Sequence, residues 1–236
     1  MTRSSSDYYE IFGRKVPRVT AICGQLDKPA LTYWAANTAC DYILSELGDI
    51  ESRLASGALT AGEIVNTVER ARKEFIRASR RAMDIGSRVH AAIEFYLRER
   101  KEQIIDHDQV VAGFLAFLEW ADRYDLTVLS TEQTVYDPLL RYAGTCDLLA
   151  RLGRNLYVID FKTSKIKTNA AYPEHRYQVA AYRQTEPEIK GCGVLYLDKE
   201  TGTPIWCDTS STYEQDVAVF NCLVDLWYAR KEAKDV

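Results

Sequence analysis

Two aspartates and a lysine stand at spacings that suit phosphodiester hydrolysis. Gly144-Thr145-Cys146-Asp147 is followed by Asp160-Phe161-Lys162-Thr163, with Gln178 and Tyr182 downstream. Residues 142–152 alternate polar and apolar types, and residues 156–161 are rich in strand formers, so both read as strands. Arg154-Asn155, next to Gly153, reads as the hairpin turn between them. Asp147 and Asp160 are then 13 residues apart and face each other across the hairpin. Asp160 and Lys162 are two apart and share one face of their strand. The two acids would give hard oxygen ligands to Mg²⁺, which lowers the pKa of a bound water and polarises a phosphoryl group. Lys162 would orient that water or stabilise the charge that develops. An Asp-x-Lys triplet on an exposed strand is ordinarily two solvated charges. Here the acid ends the apolar run Leu156-Tyr157-Val158-Ile159, where an unpaired carboxylate is costly.

Two helices must bring further groups to that strand pair. Ile85, Val89, Ile93 and Tyr96 recur at helical spacing, and His90 and Glu94 are four apart on one face. Gly86 lies one turn before His90, where its missing side chain would let the helix approach a sheet closely. His90 is a candidate third ligand, and an imidazole makes Mn²⁺ an especially good metal. The competing assignment is a core histidine bonded to a backbone carbonyl. In Tyr177-Gln178-Val179-Ala180-Ala181-Tyr182, Gln178 and Tyr182 are again four apart on an expected helix. A glutamine there can hydrogen-bond a scissile phosphate or the attacking water, and a tyrosine can stack on a base or bond a phosphate.

In that order, Gly-x-x-x-His, Gly-x-x-Asp, Asp-x-Lys-Thr and Gln-x-x-x-Tyr resemble the motifs of the PD-(D/E)XK nucleases. The similarity is strongest to the RecB-like branch, with Cas4 proteins, the mitochondrial genome maintenance exonuclease and phage exonucleases. It covers residues 84–185. The resemblance implies His90, Asp147, Asp160 and the Phe161 carbonyl as metal ligands for Mg²⁺ or Mn²⁺. It makes Lys162 catalytic together with Asp147, Asp160 and Gln178. Tyr182 would position substrate, with Thr163, Lys165 and Glu132 as further candidates for substrate contact. Glu132 resembles the acid on the strand that precedes Gly-x-x-Asp. Val19-Thr20, Leu26-Asp27-Lys28-Pro29-Ala30-Leu31 and Trp34-Ala35-Ala36 resemble the leader of phage-type members, a helical layer that shapes a passage for a DNA strand. In that role Lys28 would meet phosphate and Trp34 a base. The alternative, favoured for Trp34, is a helix that starts at Lys28-Pro29 with the indole in the core.

Cysteines and charge narrow the branch. Cas4 proteins bind an iron–sulfur cluster through four cysteines. The six here (Cys23, Cys40, Cys146, Cys192, Cys207 and Cys222) form no Cys-x-x-Cys, so no cluster is expected. Scattered thiols fit buried small side chains in a reducing cytoplasm. The net charge is −4, but local distribution decides nucleic-acid binding. Arg70, Arg72, Lys73, Arg77, Arg80, Arg81 and Arg88 concentrate in one helical region, and Lys162, Lys165 and Lys167 surround the proposed site. The plainer reading is a solvated face, with Glu69 pairing Lys73 and Glu74 pairing Arg70. No apolar run is long enough to span a membrane, and residues 1–6 read as a flexible start rather than a signal peptide.

The expected fold is α/β, a PD-(D/E)XK restriction-endonuclease-like core whose mixed central sheet is flanked by helices. One nuclease domain is expected over 1–236, with an N-terminal helical layer at 1–83 and the core at 84–236. Helices are expected at 29–46, 61–83, 84–100, 107–124, 173–184 and 211–231. Strands are expected at 126–136, 140–152, 155–162, 191–198 and 203–207. The implied function is a metal-dependent DNA exonuclease preferring a single-stranded end, in a phage or prophage recombination or repair setting. An annealing protein or helicase is the implied partner, with no membrane and no fixed oligomeric state. Its rivals are a structure-selective endonuclease of the same fold and a binding subunit without turnover.

Overall fold

Residues 2–23, where the sequence suggests only a leader, form three strands and a helix. The computed structural model describes residues 2–3, 7–101, 103–164 and 169–232. β1 (Thr2–Arg3), β2 (Tyr8–Ile11) and β3 (Arg14–Pro17) make a small antiparallel sheet, and α1 (Val19–Cys23) follows. The remaining residues of the expected flexible start, 1 and 4–6, lie outside the described ones. Tyr9, Ile11 and Val16 bury one face of this sheet against Ala143, which is why alternating apolar residues specify strands here.

Three helices come next: α2 (Pro29–Ser45), α3 (Leu47–Ala55) and α4 (Ala61–Glu99). Pro29 opens α2, as its fixed φ favours at a first helical position. α4 opens on a capping box, in which Thr60 N–H donates to Glu63 Oε2 at 2.8 Å and Glu63 N–H to Thr60 Oγ1 at 3.4 Å. The two helices expected at 61–83 and 84–100 are one. Buried Ile85 and Val89 carry the helix through Asp84-Ile85-Gly86, and burial there outweighs the lower helix propensity of glycine.

The chain divides into two compact units: Asp27–Ile85, and Met1–Leu26 together with Gly86–Val236. The described residues before Asp27 belong to the sheet-bearing unit. In Asp27–Ile85 the arginines pair differently from the expected Glu69–Lys73 and Glu74–Arg70. Arg72 bonds Glu69, Arg77 and Arg81 share Glu74, and Arg70 reaches Glu46. Trp34 is 39% exposed rather than in a core.

The larger unit is built on a five-stranded mixed sheet flanked by helices. α5 (Asp108–Arg123) leads into β4 (Leu126–Asp137), β5 (Tyr142–Leu152) and β6 (Asn155–Lys162), an antiparallel meander. The β5–β6 turn is Gly153-Arg154, one residue earlier than expected, with Gly153 at φ +57°, a conformation glycine adopts without strain. α6 (Pro173–Gln184) crosses over to β7 (Gly191–Leu197), which pairs parallel to β6, and β8 (Pro204–Asp208) adds antiparallel. A short 3-10 turn at Ser210–Thr212 and α7 (Tyr213–Glu232) follow. α6 packs on β5, β6 and β7 beside α1 and α7, whereas α5 packs on β7 and β8. Phe161 contacts Phe117 of α5, and its strand neighbours Asp160 and Lys162 point the other way. α5 and α6 therefore cover opposite faces. Among the described residues no helix is long and apolar enough to cross a membrane.

Candidate active site

The ladder between β5 and β6 stops where the two aspartates meet. Paired positions run from Leu152↔Asn155 to Leu148↔Ile159, so one more step sets Asp147 opposite Asp160. In place of a backbone bond, Asp147 Oδ2 accepts the Phe161 N–H at 2.6 Å. The other oxygen, Oδ1, lies 3.3 Å from His90 Nδ1. On β4, the pairs Thr131↔Leu148 and Gln133↔Cys146 bracket Glu132, whose φ of 50° is in the left-handed region. A non-glycine residue held there costs roughly 1–3 kcal/mol, and such strain concentrates at functional sites. His90, Glu132 and Asp147 each offer a ligand atom within 4.8 Å of the others.

Beside this triad sits a buried polar chain. Asp160 is 2% exposed, and its Oδ2 is 2.5 Å from Lys162 Nζ. That contact is a buried, charge-assisted ion pair. Gln178 ties the group together. Its Nε2 donates to Asp160 Oδ1 at 2.7 Å and to Tyr182 Oη at 2.9 Å, and its Oε1 accepts from Lys162 Nζ at 3.0 Å. The amide therefore turns its oxygen to the cation and its nitrogen to the carboxylate, the only way round that satisfies both.

Two motif glycines are explained by close approach. A Cβ on Gly144 would lie 2.3 Å from Tyr182 Cε1, so this glycine makes room for the tyrosine that holds Gln178. A Cβ on Gly86 would lie 2.9 Å from Thr163 Oγ1, so α4 passes over the end of β6 at the turn before His90. Edge-on packing of His90 against Phe161 at 5.8 Å fixes the imidazole from the other side.

The electrostatics split the two aspartates. Burial pushes Asp160 up to about 6, and Asp147 adds to this while Lys162 opposes it. Burial would raise Asp147 too, but His90, Lys162 and the Phe161 N–H outweigh it and hold this carboxyl below its usual value. His90 is raised overall, because Asp147 outweighs the effect of burial. Lys162 is raised as well, its two aspartates outweighing desolvation. Carboxylate oxygens from Glu132, Asp147 and Asp160 with one imidazole from His90 are donors that suit Mg²⁺ or Mn²⁺. The donor set fits the ion.

The structure brings His90, Glu132, Asp147, Asp160, Lys162, Gln178 and Tyr182 together around the end of the β5–β6 hairpin. Glu132, expected at substrate, instead stands with His90 and Asp147. Tyr182 is 2% exposed, so its hydroxyl serves Gln178 rather than a ligand. Thr163 packs under Gly86. Lys165 and Lys167 lie outside the described residues. One contact went unread in the sequence: Tyr9 Oη lies 2.7 Å from Thr145 Oγ1, two residues before Asp147. The alternation of Tyr9, Ile11 and Val16 was the available signal.

The fold and site together define an acidic centre with an adjacent lysine at the end of a sheet hairpin. Among solved structures, the chain is similar to an alkaline exonuclease (LHK-Exo) from Laribacter hongkongensis, at 16% identity and a TM-score of 0.32 over 62% of this chain and 84% of that one. LHK-Exo in complex with dAMP gives 16% identity and 0.34, over 62% and 85%. Likeness at this level carries no argument about what this chain does. No family model and no curated protein matches the sequence.

Proposed function

We propose that the protein is a metal-dependent deoxyribonuclease, an exonuclease that hydrolyses DNA from a free end and prefers a single strand. The observation that carries the hydrolytic reading is the convergence of His90, Glu132 and Asp147 within 4.8 Å. Beside them is a lysine held by Asp160 and Gln178. Asp160, buried beside that lysine and pushed up to about 6, is a perturbed group of the kind that functional sites concentrate. DNA as substrate, the free end, and a recombination or repair setting rest on the motif resemblance.

His90, Glu132, Asp147 and Asp160 would hold Mg²⁺ or Mn²⁺, which when bound supplies Lewis-acid polarisation of the phosphate and an acidified water. The protein's own groups do the rest. Gln178 and Asp160 fix the Lys162 ammonium, so its charge costs no reorganisation as negative charge grows on the phosphorus oxygens. A water oxygen bonds to phosphorus and gives up a proton, the bond to the leaving sugar oxygen breaks, and that oxygen takes a proton.

The test is cleavage of a single-stranded oligonucleotide labelled at either end, with Mg²⁺, Mn²⁺ or EDTA, beside a closed single-stranded circle. Digestion of the linear strand alone, dependent on metal, is expected. Asp160→Ala and Lys162→Ala should each lower the rate about a thousandfold, about 4 kcal/mol of transition-state stabilisation. A cut circle makes the protein an endonuclease, and binding without cleavage makes it a binding subunit.

A further inference from the structure

The hairpin between β2 and β3 carries an aromatic ring that the fold does not use. Ile11 pairs with Arg14, so Phe12 and Gly13 form the whole turn, with φ of 50° and 73°. Two positive φ values in a two-residue turn favour Asn-Gly or Gly-Gly, and phenylalanine is strained in that region. The ring gives nothing to the core in return, being 93% exposed. Strain kept without a packing gain points to function.

The placement of this turn says which function. The hairpin is rooted beside the candidate site: Tyr9 Oη meets Thr145 Oγ1 at 2.7 Å, and Arg18 lies over the Tyr9 ring at 5.5 Å. Thr145 and Asp147 are two apart on β5, hence on one face. Phe12 lies three residues beyond Tyr9, about 10 Å of extended chain. Its exposed neighbours on the strands are Glu10, Arg14 and Lys15; Glu10 stands directly across from Lys15, whereas Arg14 faces Ile11. A protein-docking site would present a continuous apolar patch. An exposed ring with an arginine beside it is instead an arrangement that grips a nucleic-acid strand, the ring taking a base face and the guanidinium a phosphate.

We propose that Phe12 is a stacking site for a nucleobase of a single DNA strand, with Arg14 on an adjoining phosphate. This rests on the nuclease reading above. The test is fluorescence anisotropy of a labelled single-stranded oligonucleotide in EDTA, alongside thermal denaturation and the cleavage assay. Phe12→Ala should weaken binding about tenfold, the order of one base–aromatic stack, while Phe12→Trp keeps it. Phe12→Gly should weaken binding equally yet leave the melting temperature unchanged or higher, since glycine relieves the turn. A strand of abasic sites, which offers phosphates without bases, should bind wild type and Phe12→Ala alike. Unchanged affinity of Phe12→Ala in a protein that binds and cleaves DNA would overturn the stacking site alone. A lower melting temperature in Phe12→Gly would overturn it too, by assigning the ring to the fold. Wild type that neither binds nor cleaves DNA would overturn the nuclease reading itself, and the stacking site with it.

Discussion

Asp160→Asn should stabilise the metal-free protein while removing its activity. The asparagine has nearly the shape of the protonated acid and keeps an oxygen to accept from Gln178, whose Nε2 now bonds Asp160 Oδ1 at 2.7 Å. Asp160 is 2% exposed, and burial, helped by Asp147 and opposed by Lys162, moves its carboxyl from 3.8 to about 6. At about 1.36 kcal/mol per pH unit, that shift of about 2 means ionising Asp160 costs the fold about 3 kcal/mol. The sign follows from linkage. A folded-state value above the unfolded one gives stability that is fully present below about pH 4 and is lost as pH rises through about 6. Wild type in EDTA should therefore be less stable than Asp160→Asn at pH 8, with the difference disappearing toward pH 4. For a chain of this size about 3 kcal/mol corresponds to roughly 6–12 °C in melting temperature. Thermal denaturation of both proteins at pH 4.5 and 8 in EDTA, then at pH 8 with Mn²⁺, measures it. Metal should raise wild type much more than the variant, because an ion that binds only the folded state stabilises by mass action. If Asp160→Asn melts below wild type at pH 8 without metal, the Lys162 pair outweighs burial, and a carboxylate held at a cost for catalysis is the wrong account.

Two further outcomes follow from the geometry. Gly144→Ala puts a Cβ 2.3 Å from Tyr182 Cε1; overpacking of this kind costs about 1–3 kcal/mol. Urea unfolding should show that loss, and activity should fall by more than the lost stability accounts for, because Tyr182 carries Gln178. Apparent Mn²⁺ affinity, measured by calorimetry, should weaken from pH 7.5 to pH 5.5. His90 is raised and Asp160 sits at about 6, so both must shed protons to bind metal. An affinity flat over that range would remove both from the ligand set.

The sheet was readable because its periodicity is local. Residues 142–152 and 156–161 announce strands by alternation and β-branching, and a glycine turn fixes their register, so facing aspartates follow by arithmetic. What could not be read is whatever depends on contacts between distant segments. Gly144 has no local reason to be glycine within its strand until Tyr182, 38 positions later in sequence, is seen against it. Gly86 is legible as room for a helix to approach a sheet, and it passes Thr163, but a lone glycine does not show that one helix runs straight through it. Tyr182 looks like a surface polar group at helical spacing, and only its burial turns it into the prop of Gln178. Glu132 shows the same limit from the side of chemistry. A strand acid in Ser130-Thr131-Glu132-Gln133 has no local feature that separates a solvated charge from a ligand. Its left-handed φ and its position opposite Asp147 are set by β5. The motif glycines and the motif tyrosine thus form one device: space made in β5 admits a ring from α6, the ring orients an amide, and the amide holds lysine and aspartate apart in charge but together in place. Spacing in sequence preserves that device only because β5, β6 and α6 are rigid, so a change that loosens α6 against the sheet should reach Lys162 before it reaches any ligand on α4.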